Sequence, residues 1–426
     1  MLIHAPHNAR RRWLTLTALL VAAIPPGWTI TARADAVIDW SAISQAAIVT
    51  NAGRPPSGSI VDVAYVFAAV YDAVNAIDGR YSAFAVSLPT ASPTASQDAA
   101  AVAAAHHVLK TFFPTQQVFL DGALAASMAA IPAGPARDQG NAVGVQVATA
   151  FLTLRANDGR NAVVPYVFGS GPGVYQLTPG APQPPASPAT PWVAQMKPFA
   201  LESASQFRAE GPPDLTSARW ADDYNEVKAF GALNDSPRTA EQTEIGRFYA
   251  EHPGAQLMRT LRNFAAAQTM SVADRARLLA ILHISAADAL IACFDSKYFY
   301  NFWRPATAIV AGETDDNGAT EPDGGWLALA PTPNHPEYPA AHGAVSTAYA
   351  EALRHFFGTK KVTITLSSTV TGTTHTFDNT DQIIKEIIAA RIYGGMHYRT
   401  SGVHGSVIGR KVAHWVNKNY FQPVAQ

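Results

Sequence analysis

The sequence predicts an all-α protein, a helical bundle carrying one long, ordered proline-rich loop. Long alanine- and leucine-rich stretches recur with helix caps at their ends, and alternating strand patterns are scarce. Apolar residues make up 48% of the 426-residue chain against 15% charged, which is ample for a large core.

Residues 61–77 are dense in alanine and apolar side chains and are closed by Asp78-Gly79. Residues 97–112 are alanine-rich and are stopped by Pro114, and 138–157 end at Asp158-Gly159. Residues 217–230 open on a serine cap. Residues 271–297 open on Ser271 with Asp274 in the first turn, where hydroxyl and acid both favour a helix start. Shorter helices are expected over 344–357 and 381–393. The one strand candidate, 362–370, reads as a hairpin arm.

Eleven prolines fall between Pro165 and Pro213, with Tyr166, Tyr175, Trp192 and Phe199 among them. Such a stretch can be a linker, but the aromatics favour an excursion over 160–216 that packs on the helical body. Residues 35–426 are therefore read as one helical domain.

Residues 1–34 read as an export signal. Arg10, Arg11 and Arg12 precede an apolar stretch that Pro25-Pro26-Gly27 interrupts, and Ala32-Arg33-Ala34 supplies a small-x-small cleavage pattern. The arginines also fit a twin-arginine signal. The expectation is an exported protein, periplasmic or secreted, with no transmembrane anchor after cleavage. The most apolar later stretch, 278–294, holds His283 and Asp288 and looks too short and polar for lipid. The single cysteine, Cys293, excludes an internal disulfide and reads as a core thiol. A net charge of −1 offers nothing for nucleic acid, so an anion site must be built locally. The oligomeric state stays open.

Chemistry concentrates in three stretches between 271 and 416. Lys297 and Arg304 stand two turns apart on a continuous helix, so both cations would share one face before Pro305 turns the chain away. Tyr298, Phe299, Tyr300, Phe302 and Trp303 set them in an apolar wall, where a cation needs an anionic partner. A solvated basic face is the plainer alternative. In the second stretch, His335-Pro-Glu-Tyr-Pro-Ala-Ala-His342-Gly343, a helix begins near His342. The N–H groups of Ala341, His342 and Gly343 can then point at an anion, and Ala340, Ala341 and Gly343 would let it approach the backbone. In the third, Arg391-Ile-Tyr-Gly-Gly-Met-His397, the glycine pair ends a helix and lets His397 swing back toward Arg391.

In order, Lys-x6-Arg-Pro, Pro-x-x-His and Arg-x5-His resemble the superfamily of vanadium-dependent haloperoxidases and type 2 phosphatidic-acid phosphatases. The Tyr71-Asp72-Ala73 and Trp220 helices are similar to those of its soluble bacterial branch. The resemblance implies a helical bundle of that type. It implies that Lys297, Arg304 and Arg391 bind the equatorial oxygens of an oxyanion as permanent cations, with Ala341 and His342 at the helix start. His397 would be the apical ligand of vanadium, or the nucleophile of a phosphohistidine mechanism. His342 would be the acid–base residue, and Lys297 would polarise bound peroxide. His335 sits where haloperoxidases place a residue beside the halide, and a histidine there resembles bromoperoxidases.

Three functions follow: a vanadate-dependent haloperoxidase acting on hydrogen peroxide and halide, a soluble acid phosphatase acting on phosphate esters without a cofactor, or an oxyanion-binding protein without turnover. The chain departs from the pattern twice. Ala340 replaces the usual serine, and Ser401 stands where the phosphatases place an aspartate that orients the last histidine.

Overall fold

The computed structural model describes residues 35–89, 91–177 and 188–424. The expected export segment lies outside them, as does the middle of the proline-rich stretch.

Helix α1 (Ala36–Gln45) is capped by the Asp35 carboxylate and continues as a π-helical segment to Asn51. Helix α2 (Pro56–Asp78) starts on a proline and stops at Gly79, whose φ of 73° suits a residue without Cβ. Then come α3 (Gln97–Phe112), α4 (Gln117–Ala129) and α5 (Pro135–Leu154). Beyond the proline-rich stretch lie α6 (Ala218–Gly231) with its Ser217 cap, α7 (Ala240–Phe248) with a Thr239–Gln242 capping box, and α8 (Pro253–Ala266). Helix α9 (Val272–Tyr300) is capped by Ser271, and one-turn α10 (Pro305–Ala308) follows. The chain closes with α11 (Ala341–Phe357), α12 (Thr380–Tyr393) and α13 (Arg399–Asn419). Between α11 and α12, β1 (Ile364–Ser367) pairs antiparallel with β2 (Thr374–Phe377), a shorter hairpin than the sequence pattern suggests. The architecture is all-α, as expected.

Helices α2 and α9 form the middle of the core. Both are long and apolar enough to cross a membrane, but 94% of each apolar window is buried inside the protein. Helix α9 has 29 residues, so the expectation that this region is too short for a bilayer is corrected: packing, not length, places it in the core. Buried carboxylates tie loops to these helices. Asp72 on α2 accepts N–H bonds from Phe84, Ala85 and Val86 at 2.6–2.9 Å, and Asp288 on α9 accepts them from Phe199, Ala200 and Leu201 at 2.7–2.9 Å. Through Asp288 the described end of the proline-rich stretch is fastened to the bundle.

A second, aromatic core backs the C-terminal segments. Trp220 stacks on Trp303 at 5.9 Å and meets Tyr398 edge-on at 4.9 Å, with Phe302 and Tyr338 in the same cluster.

Helices α11 and α13 touch through small residues. An added Cβ would sit 2.6 Å from the Gly402 carbonyl at Gly343, 2.4 Å from the Ala340 carbonyl at Gly405 and 2.4 Å from the Ala344 carbonyl at Gly409. Gly343 therefore serves helix packing, which corrects its expected role of opening the backbone to an oxyanion. Gly405→Val should destabilise the protein by about 3 kcal/mol, an overpacking cost read from the denaturant midpoint. An unchanged midpoint would mean that the two helices can part without loss.

Candidate oxyanion site

Lys297 occupies the last turn of α9 and is fully buried. Its Nζ donates to the carbonyls of Pro336 (2.9 Å) and Glu337 (2.6 Å). The helix stops at Asn301, which is left-handed (φ 51°). Arg304 thus lies beyond the helix, as the residue preceding α10, and the expected shared helical face does not exist. The turn at Asn301, not helical periodicity, brings the two cations together. Pro305 opens α10 instead of turning the chain away. Of the aromatics expected as a wall, Phe302 and Trp303 are buried and Phe299 is exposed.

Arg304 is the hub. It donates Nε–H to the His335 carbonyl (2.9 Å), Nη1–H to the Met396 carbonyl (2.9 Å) and to His397 Nε2 (3.2 Å), and Nη2–H to His335 Nδ1 (3.0 Å). An arginine only donates, so His397 Nε2 accepts and the ring proton sits on Nδ1. That proton goes to Glu337 Oε1 at 2.7 Å, and the same oxygen accepts the Tyr398 N–H at 3.2 Å. Burial, with Arg304, Lys297 and Arg391 nearby, holds the His397 pKa well below its ordinary value. The imidazole is neutral, and its lone pair faces the cations.

Arg391 ends α12. It donates to the Tyr249 carbonyl (3.3 Å), reaches Met396 Sδ, and leaves its buried Nε without a partner. Gly395, at φ 74°, would drive a Cβ to 2.5 Å from the Gly231 carbonyl. Only glycine makes this turn, and it returns the backbone so that the Met396 and His397 N–H groups both bond to the Arg391 carbonyl, at 3.0 and 3.3 Å.

Helix α11 begins at Ala341, three residues earlier than expected, with Ala340 at the capping position and no side-chain cap. Ala341 and His342 thus fall in the first turn, whose N–H groups a helix leaves unpaired. Burial, Arg391, Lys297 and Arg304 hold the His342 pKa well below normal. His342, Ala341, Arg391, His397 and His335 line a cavity of about 340 Å³, while Lys297 and Arg304 stand behind its lining. His404 is outside it, bonded to Tyr338. Cys293 is a buried thiol donating to the Pro339 carbonyl at 3.3 Å, with burial raising its pKa to about 11.

Sequence reasoning missed Glu337. It is fully buried, and burial raises its pKa to about 7 against the pull of Lys297 and Arg304. It supplies the partner that His397 lacks at Ser401. Ser401 itself is buried close enough to favour the ionised carboxylate, although its hydroxyl makes no hydrogen bond of ordinary geometry. The available signal was an acid held between two prolines in His335-Pro336-Glu337-Tyr338-Pro339.

Among the described residues no carboxylate forms an ion pair with Lys297, Arg304 or Arg391, and Glu337 is committed to His397. Three buried cations sharing one carboxylate, together with an orphaned guanidinium N–H, fit an oxyanion such as vanadate. One expectation needs correcting. Lys297 is not a permanent cation, because burial, with Arg304 and Arg391 beside it, lowers its pKa to about 7. An anion would restore its charge. Vanadate binding at pH 8 should therefore take up about one proton at Lys297, read by calorimetry in buffers of different ionisation enthalpy, and Lys297→Met should lose that uptake. Above pH 7 affinity should fall as pH rises, because the free protein gives up the proton that the complex needs.

Ala340→Ser would restore a hydroxyl at the α11 cap. Anion affinity should then tighten roughly fivefold, the effect of about 1 kcal/mol, measured by equilibrium dialysis against vanadate.

The fold is an all-α bundle, and its cavity gathers residue types able to hold an oxyanion. A family model described as the VCPO second helical-bundle domain matches residues 277–426. The vanadium chloroperoxidase of Curvularia inaequalis is 27% identical over 222 residues, covering 42% of this chain and 36% of that protein, so the chain spans little more than a third of its curated relative. The crystal structure of a bacterial vanadium-dependent iodoperoxidase superposes with a TM-score of 0.75 at 25% identity, covering 92% of this chain and 97% of the other. The holo form of a bacterial vanadium-dependent chloroperoxidase shares the fold, with a TM-score of 0.69 at 17% identity over 85% of this chain and 92% of the other. Residues 277–426 thus resemble the second helical-bundle domain of the vanadium chloroperoxidases, and the fold is the one seen in bacterial vanadium haloperoxidases.

Proposed function

We propose that this chain is a vanadate-dependent haloperoxidase that oxidises halide with hydrogen peroxide. The observation carrying the reading is His397, neutral, buried and held by Glu337 so that Nε2 points its lone pair among three cations. Similarity to chloroperoxidase and iodoperoxidase relatives favours peroxide chemistry over phosphate-ester hydrolysis.

In this reading Lys297, Arg304 and Arg391 would hold the vanadate oxygens, the first turn of α11 would add N–H groups, and His397 Nε2 would bind the vanadium. Bound vanadate supplies the Lewis-acid centre at which peroxide becomes open to attack by halide. His342 starts neutral and lines the cavity, so it can take a proton from incoming peroxide. Lys297 regains its proton once the anion is in place and can polarise a peroxide oxygen. Halide oxidation consumes one proton and leaves one water, and His342 is the group placed to return the proton. His335, bonded through Nδ1 to Arg304 with its ring 5.2 Å from Phe294, is the proposed neighbour of the halide.

The test assays the purified protein with vanadate for iodide and bromide oxidation and for p-nitrophenyl phosphate hydrolysis. Halide oxidation that requires vanadate supports the proposal. Phosphatase turnover that vanadate inhibits, without halide oxidation, identifies the phosphatase instead. Tight vanadate binding with neither activity identifies an oxyanion-binding protein. Export remains part of the proposal, on the Arg10–Arg12 pattern alone, and N-terminal sequencing of the mature protein tests it.

A further inference from the structure

The hairpin between α11 and α12 carries a histidine outside the cavity lining. His375 on β2 pairs across the ladder with Leu366 on β1, and both turn inward, where Leu366 lines the cavity. The His375 ring stacks on Phe248, the last residue of α7, at 3.9 Å. Its Nδ1 lies 2.6 Å from Glu386 Oε1 on α12, and its Nε2 lies 2.9 Å from Glu244 Oε2 on α7. A carboxylate only accepts, so both ring nitrogens must donate. Only an imidazolium carries two N–H groups.

Among the described residues no other cation pairs with either carboxylate. Hydroxyls supply their remaining bonds: Thr373 of the hairpin donates to Glu244, and Tyr249 donates to Glu386 at 2.9 Å. Tyr349 on α11 is a further titratable group near Glu386. One imidazolium thus joins the hairpin, α7 and α12.

This junction leads to the anion site. Tyr249 follows α7 and gives its hydroxyl to Glu386, while its carbonyl accepts from the Arg391 guanidinium at 3.3 Å. Glu386 and Arg391 share α12. Among the described residues that carbonyl is the one oxygen bonded to the Arg391 guanidinium, whose other partner is Met396 Sδ and whose Nε has none. The place of Arg391 therefore depends on the place of Tyr249.

We infer that His375 is a positioning residue for the oxyanion site: its protonated ring clamps the hairpin, α7 and α12 together and so holds the Tyr249 carbonyl against Arg391, and loss of the proton loosens the clamp. This rests on the oxyanion reading of the cavity and not on halide oxidation. A neutral ring would turn a lone pair toward one of the two carboxylates and leave them without a cation between them. The bond to Glu386 raises the His375 pKa against the pull of burial, and the charges of Glu386 and Glu244 add to the rise. The raised value fixes the sign. The clamp is complete below the ordinary histidine value of about 6.5 and is lost as pH rises through the higher folded-state value.

The test combines nitrogen NMR of histidine-labelled protein with equilibrium dialysis against vanadate. At pH 7.5 both His375 nitrogens should still be protonated, with the signal assigned by its absence in His375→Gln. Glutamine imitates the neutral ring and arginine the charged one, since a guanidinium also stacks on an aromatic face and donates on two sides. At pH 7, His375→Gln should weaken vanadate binding about fivefold. Its ratio to the unmodified protein should approach one above the His375 midpoint, because the unmodified ring is then neutral as well. Comparison at equal pH cancels the slope due to Lys297, and a merely structural defect would keep one ratio at every pH. His375→Arg should stay within about twofold of the unmodified protein at pH 7 and bind more tightly than it above the midpoint. A neutral His375 ring at pH 7.5 overturns the inference, as does a ratio of one at pH 7 or a ratio independent of pH. Should His375→Gln fail to fold, an arginine variant that gains nothing above the midpoint overturns it. If the unmodified protein binds no vanadate, the oxyanion reading fails and the positioning role with it, while a doubly protonated His375 still supports the clamp.

Discussion

His397→Ala should remove halide oxidation almost completely, by about three orders of magnitude or more, which corresponds to ~4 kcal/mol of lost transition-state stabilisation. The reason is geometric. His397 brings a neutral nitrogen lone pair among Lys297, Arg304 and Arg391, and it is oriented there because Arg304 donates to Nε2 and Glu337 takes the Nδ1 proton. His342, the other histidine assigned a catalytic role, lines the cavity from a different element, the first turn of α11. The fold should tolerate the change, since the freed Glu337 carboxylate lies near Lys297 and Arg304 and can pair with them. Vanadate-dependent iodide oxidation and vanadate dialysis measure the effect. Added imidazole should restore part of the activity by entering the space left by the ring. A variant that keeps full activity would overturn the proposed role of His397 as the vanadium ligand.

Glu337→Ala should weaken vanadate binding and activity by about 100-fold, with Glu337→Gln near tenfold, the range seen when the group orienting a metal-bound histidine is lost. Two effects oppose each other. Removing the carboxylate removes a repulsion toward the incoming anion, which alone would tighten binding. Glu337, however, also supports the charge on Lys297, so its loss lets that lysine deprotonate at lower pH. The carboxylate and the lysine proton leave together, and the net charge of the site stays nearly the same. What remains is the lost hold on His397, whose ring can then turn or change tautomer. Glutamine keeps an oxygen that accepts the Nδ1 proton and so retains more function. The distinguishing readout is the pH profile. The limb set by Lys297 should move to lower pH in Glu337→Ala, which a merely structural defect would not cause. Vanadate affinity left intact in both variants would sink the orienting role.

Much of the site was legible because chemistry-bearing residue types recur at short spacings. Lys297, Arg304, His335, Ala341, His342, Arg391 and His397 do converge. The route was less legible. Arg304 reaches the site through the left-handed turn at Asn301, not along a helix face, and nothing local in Lys297–Arg304 announces that turn. Gly343 looked like a gap for an anion and proved to be where α13 touches α11, because a contact between helices far apart in sequence leaves no trace in one helix's own pattern. Glu337 was overlooked because its partner, His397, lies 60 residues away. Short helices such as α7 and α8 also escaped notice. Their stability comes from one packed face, and propensity over a single window of 9 or 14 residues is a weak signal.

The sequence by itself determined the all-α class, the serine-capped starts of α6 and α9, the burial of Cys293 and which residues are candidates to hold an oxyanion. These follow from local rules: caps, glycine and proline stops, apolar content and the charge carried by each side chain. Tertiary structure decided the rest. It set α2 and α9 in the core although their length suits a bilayer, and it chose Glu337 as the partner of His397. It also changed Lys297 from a permanent cation into one that titrates near neutrality. Burial and pairing are properties of what surrounds a residue, and for these residues the surroundings come from distant parts of the chain.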